Sequence, residues 1–144
     1  MSDLAPSLRA RLHALGLLSI ASEADDIVAL ATKKRWGAAQ LLEHIADLEE
    51  RDRSKRSLDR RLSRSRLGKV KALADFDWNW PTKIDRALVE AAAELHFLSG
   101  SRNIVLVAPQ GLGKTMIAEN IAHQAILAGH SVLFTTAAQM LLDL

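Results

Sequence analysis

The chain has 144 residues, 49% of them apolar, enough for one compact domain or a small domain with part of another and too few for two complete ones. With no cysteine it holds neither disulfides nor thiolate-bound metal, and its five histidines (His13, His44, His96, His123, His130) lack metal-ligand spacing. The net charge of +2 conceals a segment from Arg51 to Lys71 with ten basic residues against two acids, a local +8 that leaves −6 for the remainder.

The opening residues Met1-Ser2-Asp3-Leu4 lack the basic start and apolar core of a signal peptide, and no apolar run approaches bilayer-spanning length. The expectation is a soluble cytoplasmic protein with no membrane attachment. From Pro6 the periodicity is helical. A short helix ends near Gly16, and a second carries Leu17, Ile20, Ala24, Ile27 and Ala31. After a turn at Trp36-Gly37, a long third helix with Leu41, Ile45 and Leu48 leads into the basic segment. Residues 1–66 thus read as a small all-helical domain.

Within the basic segment, helical geometry places Arg53, Arg56, Arg60 and Arg64 on one stripe, with Leu58 and Leu62 roughly opposite. Two readings of the stripe are open. It is a solvated face with i,i+4 pairs Asp47 to Arg51, Glu49 to Arg53 and Asp52 to Arg56, or it grips the phosphates of double-stranded DNA. The pairs neutralise only the beginning of the block, so the candidate DNA contacts are Arg53, Arg56, Arg60, Arg61, Arg64 and Arg66.

Residues 67–80 read as a linker ending in Phe76-Asp77-Trp78-Asn79-Trp80, whose alternating aromatics suggest an extended segment laid on a surface. Stacking of Phe76 or Trp78 on a nucleobase is the other reading. The third stretch, 81–144, opens with Pro81. Thr82 with Asp85 resembles a capping box, and Ile84, Leu88, Ala92 and Leu95 line a helix that runs to Gly100. Ile104 to Val107 is an apolar, β-branched run of the kind that forms a strand buried on both faces of a parallel sheet.

There follows Ala108-Pro109-Gln110-Gly111-Leu112-Gly113-Lys114-Thr115, a phosphate-binding loop with alanine in place of its first glycine. The glycines let backbone N–H groups turn inward, Lys114 reaches the β and γ phosphates, and the Thr115 hydroxyl coordinates Mg²⁺. The candidate nucleotide site is Ala108, Pro109, Gln110, Gly111, Leu112, Gly113, Lys114, Thr115 and Met116, with ATP and Mg²⁺ as ligands and Thr115 as the metal-binding residue. The following helix, with Ile117, Ile121, Ala125 and Leu127, ends at Gly129 in a C′ position. Val132 to Phe134 reads as a second strand, and Thr136 with Gln139 caps a last helix carrying Met140, Leu141 and Leu144.

The helical N-terminal part, the Arg-rich helix, the linker Leu73-Ala74-Asp75-Phe76-Asp77, the phosphate loop and the run Gly129-His130-Ser131-Val132-Leu133-Phe134-Thr135-Thr136-Ala137-Ala138 together resemble the IstB-like helper ATPases of insertion-sequence transposition, over nearly the whole chain. These are AAA+ proteins related to bacterial helicase loaders. The resemblance implies an α/β fold, with a small all-helical N-terminal domain followed by the N-terminal part of a P-loop parallel α/β domain. It also implies assembly as a homo-oligomer on double-stranded DNA with ATP, and presentation of target sites to a transposase. The family's nucleotide loop maps onto Gly111, Gly113, Lys114 and Thr115. No acidic Walker B strand or arginine finger follows in the sequence, and Asp143 on a helix is no substitute, so ATP binding without efficient hydrolysis is expected and no catalytic residue is assigned. In the implied sheet order the strands at Ile104 and Val132 are not neighbours, which points to a fragment of a longer helper or an interrupted gene. Other readings are a helicase loader, a small-molecule P-loop kinase, and a DNA-binding remnant that needs no nucleotide.

Overall fold

The computed structural model of the chain describes residues 6–80 and 84–143, which form two compact units, Met1–Ser57 and Leu58–Leu144.

In the first unit, α1 (Pro6–Ala14) packs against α2 (Leu18–Lys34). The apolar stripe expected on α2 is its buried face, with Ile20, Ala21, Ala24 and Ile27 out of solvent. Burial of each isoleucine contributes about 2 kcal/mol, whereas the half-exposed Arg9–Asp25 ion pair between the two helices adds under about 1 kcal/mol. Gly16 ends α1 with φ +76°, its N–H bonded to His13 O and the N–H of Leu17 to Leu12 O, so the last carbonyls are satisfied in a Schellman turn. After the turn at Trp36, α3 (Ala38–Arg64) begins on Gly37, whose N–H donates to Gln40 Oε1 at 3.0 Å. α3 continues into the second unit.

In the second unit a 3₁₀ turn (Leu73–Asp75) precedes α4 (Arg86–Ala93), α5 (His96–Ser99), α6 (Lys114–Leu127) and α7 (Ala137–Leu142). Asp85 caps α4 by accepting the N–H of Leu88 at 3.0 Å, while Thr82, the other half of the expected box, lies outside the described residues, as does Leu144. The helix expected to run to Gly100 breaks at Leu95, which sits in left-handed backbone at φ 65°. The face differs as well. Val89 is buried and Leu88 exposed, because the short α4 turns the position after Leu88 toward the core.

The α/β architecture is corrected: every regular element among the described residues is helical, and there is no strand. Neither Ile104 to Val107 nor Val132 to Phe134 forms a ladder, with the other or with any described segment. An apolar, β-branched run is a local property, but a strand exists only where a neighbour takes up its N–H and C=O groups. Burial on both faces fails with it, since Val105 and Val107 are 79% and 89% exposed and only Leu106 of this run reaches the core. That core is Phe76, Val89 and Ile117, with Leu73, Trp78, Ile84, Leu106, Met116 and Ile121 packed around them.

Candidate functional site

The loop from Ala108 to Met116 is built by two left-handed glycines, Gly111 at φ +84° and Gly113 at φ +78°. An L side chain is strained at either place, so the glycines are required by the backbone path itself. Gly113 is also the N-cap of α6, and no side chain caps it. The first turn therefore receives no side-chain cap, at the end of a 14-residue helix whose dipole favours anions. Lys114 stands in that first turn and folds back across the loop. Its Nζ donates to Ala108 O at 2.7 Å and Pro109 O at 2.6 Å. Thr115 is exposed next to it. Among the described residues no group of three or more His, Cys, Asp or Glu could hold a metal ion. The far end of α6 closes as expected. Gly129 (φ +99°) donates to Ile126 O and His130 to Ala125 O, a second Schellman turn.

Three contacts around the loop go beyond what the sequence specifies. Phe76 of the linker is buried under the loop, and a Cβ added at Gly113 would overlap its Cε2 and lie 3.1 Å from Cζ. Asn120, two turns into α6, accepts the N–H of Leu73 at 3.1 Å and donates to Lys71 O and Met116 O at 2.8 Å each. Trp78 packs on Phe76 with ring centroids 4.8 Å apart, and the Arg86 guanidinium lies 4.9 Å over the Trp78 ring. Of the two readings of the aromatic linker, surface docking is the one this packing favours. The contacts of Phe76 with Gly113 and of Asn120 with Lys71 and Leu73 join residues remote in sequence; the only local hint was the alternation of aromatics.

The six candidate DNA contacts are not equivalent. In the first unit Arg53 Nε and Arg56 Nη2 donate to Glu49 Oε1 at 2.9 and 3.1 Å. Arg56 Nε lies 2.7 Å from Asp52 Oδ2 at an angle that makes it an ion pair rather than a hydrogen bond, and Glu49 Oε2 is buried with no donor. Burial of Glu49 thus commits two of the arginines. In the second unit Arg61 Nε donates to Ile126 O at 3.1 Å, placing a cation on the C-terminal carbonyls of α6. Arg66 pairs with Asp143 at 2.9 Å. The hydrogen bond from Gln139, then Arg66, holds the Asp143 carboxyl below its ordinary value. Arg60 and Arg64 are exposed. Ser65, fully buried, accepts the N–H of Phe134 on its carbonyl at 2.7 Å and so ties the end of α3 to the segment before α7.

A hollow of the second unit, about 600 Å³, lies elsewhere, lined by Leu62, Leu67, Val70, Leu73, Asn120 and His123 among others. None of its lining residues belongs to the loop, and it offers no grouping of charges for a phosphate, so the backbone geometry at 108–116 is the better guide to ligand chemistry.

The family described as IstB-like ATP binding protein matches residues 10–144. A Pseudomonas aeruginosa relative, named as an ATP-binding protein of insertion sequence IS21, is 33% identical over 127 residues, 88% of this chain and 48% of its own length. One from Mycobacterium tuberculosis, named for an insertion sequence and ATP binding, is 29% identical over 100% of this chain and 57% of its own. A Bacteroides fragilis relative of IS21-like name is 29% identical over 88% of this chain and 63% of its own. The chain spans about half the length of the curated relatives it matches.

Proposed function

We propose that this chain, which belongs to the IstB-like ATP-binding protein family, binds ATP with Mg²⁺ on residues 108–116 and double-stranded DNA on its basic segment, as a helper of insertion-sequence transposition. The observation that carries the nucleotide half is the pair of left-handed glycines at the uncapped N-terminus of α6, with Lys114 and Thr115 in its first turn. Backbone N–H groups of that turn take the phosphate oxygens. Lys114 exchanges two neutral carbonyl acceptors for anionic phosphate oxygens, which adds ion-pair attraction to bonds already donated by a cation. Mg²⁺, held by the Thr115 hydroxyl and the nucleotide, neutralises charge on the β and γ oxygens. These groups bind and orient. None of them is a base for water, and the reading is of binding rather than turnover.

For DNA, the exposed Arg60 and Arg64 are the first contacts, and they touch phosphates rather than base edges. A transposase and further copies of the chain on DNA complete the proposed partners. The insertion-sequence names of the relatives support this reading over helicase loading. Titration of a fluorescent ATP analogue with Mg²⁺ against the chain and its Lys114→Ala variant tests the nucleotide half. Saturable binding lost in the variant supports it; equal binding in both, or none in either, sinks it.

A further inference from the structure

We propose that Phe76 is a positioning residue of the nucleotide loop, so that the linker is part of the phosphate site; this rests on the ATP-binding reading above. Gly113 is the hinge between loop and helix, and glycine is the residue with the widest backbone freedom. The Phe76 ring fills the space where a Gly113 side chain would stand. Ring and hinge are thus in direct contact, and the ring limits how far the hinge moves. The ring is itself held. Its own N–H bonds to Leu73 O at 3.1 Å, closing the 3₁₀ turn, and Asn120 fixes that turn through Leu73 N and Lys71 O. Trp78 covers it, and Val89 and Ile117 complete its packing.

The N–H groups that meet the phosphates lie immediately after this hinge. If the hinge wanders, the fraction of molecules with those groups aligned falls, and apparent affinity falls by the same factor. Phe76 touches no phosphate on this account. It acts through Gly113.

The test is a double-variant cycle on the full chain, read by a fluorescent ATP analogue with Mg²⁺ and checked for retained helix by circular dichroism. Phe76→Ala is expected to weaken binding about tenfold through the lost alignment, and Phe76→Leu, which keeps an apolar group under the loop, by much less. Gly113→Ala weakens it through strain at a left-handed position, which persists in every background, and by placing a methyl against the ring. In Phe76→Ala/Gly113→Ala that methyl has room, so the combined loss is smaller than the product of the two. Losses that multiply, or wild-type affinity in Phe76→Ala, overturn the proposal. If Phe76→Ala does not fold, the cycle is run with Phe76→Leu, where the same non-multiplicative loss supports it and a multiplicative one overturns it. Binding that vanishes in Lys114→Ala while the cycle multiplies refutes the role of Phe76 alone. No analogue binding to the unmodified chain refutes the nucleotide reading and this inference together.

Discussion

Replacing Asn120 by alanine removes a side chain that makes three hydrogen bonds, two of which tie the linker to α6 (from Leu73 N and to Lys71 O) and one of which returns to Met116 O within the helix. A single amide orientation satisfies all three, with Oδ1 as acceptor and Nδ2 as donor. At about 1 kcal/mol net for each bond the loss is about 3 kcal/mol. The bond to Lys71 O is exposed, so that carbonyl recovers water at little cost, and alanine is the better helix former by about 0.6 kcal/mol. The expected destabilisation is therefore about 2 kcal/mol, or about 10 °C in the melting of a unit of this size. Asn120→Asp keeps the acceptor for Leu73 N but turns a carboxylate oxygen toward two carbonyls, and should cost at least as much at neutral pH. Urea and thermal unfolding followed by circular dichroism measure the loss. Trypsin reports it locally, because Lys69 and Lys71 flank the pinned turn and should be cleaved faster in both variants. If both unfold within roughly 0.5 kcal/mol of the parent, the ordinary scatter of surface changes, and trypsin cuts at an unchanged rate, Asn120 does not hold the linker.

Arg60→Ala with Arg64→Ala should lower the slope of log affinity for duplex DNA against log salt by about 2 units; an unchanged slope in a salt titration moves the DNA contacts elsewhere. The Asp143 carboxyl is held below its ordinary 3.8 by Gln139 and Arg66, so what it adds to stability is complete above that value and is lost as pH falls through the lower folded one. An NMR titration of Asp143 should give a midpoint below the ordinary one, and a midpoint at or above it refutes the tether to Arg66. Gly129→Ala should destabilise by about 1–2 kcal/mol through its left-handed backbone alone, there being nothing within 4 Å for a methyl to strike. Gly68 has equally open space without positive φ, so Gly68→Ala should be neutral or stabilising; equal losses in urea melts would refute the backbone argument.

What was legible in the amino acids is what depends on near neighbours. The stripe Ile20, Ala24, Ile27 is buried as its spacing requires, the turns at Gly16 and Gly129 are where helix-ending glycines stand, and Thr136 caps α7 through the N–H of Gln139. Even there the box is half formed, because the Gln139 side chain donates to Asp143 instead of returning to the cap. The strands were misread because Ile104 to Val107 carries the composition of a strand but no information about who pairs with it. Leu88 was placed on the packed face, where Val89 is the buried residue, because one helical register was extended through Leu95, where the backbone turns left-handed. The roles of Phe76, Asn120, Glu49 and Arg61 share one cause: each is defined by a partner or a burial that no short-range pattern encodes.

Within the second unit α6 is the common support. Its N-terminus carries the glycine loop 108–116, Asn120 in its middle holds Lys71 and Leu73, and Ile126 near its end receives Arg61. From Arg61 to Phe76 the chain therefore runs back along α6, from its C-terminal carbonyls to Gly113. This arrangement divides the basic segment. Arg61 and Arg66 have structural partners, and their removal should cost stability as well as charge, whereas Arg60 and Arg64 are exposed and should cost charge alone. An alanine scan that treats the arginines as interchangeable would mistake unfolding at Arg61 for lost DNA contact. Melting temperature and salt slope, measured on the same variants, separate the two effects.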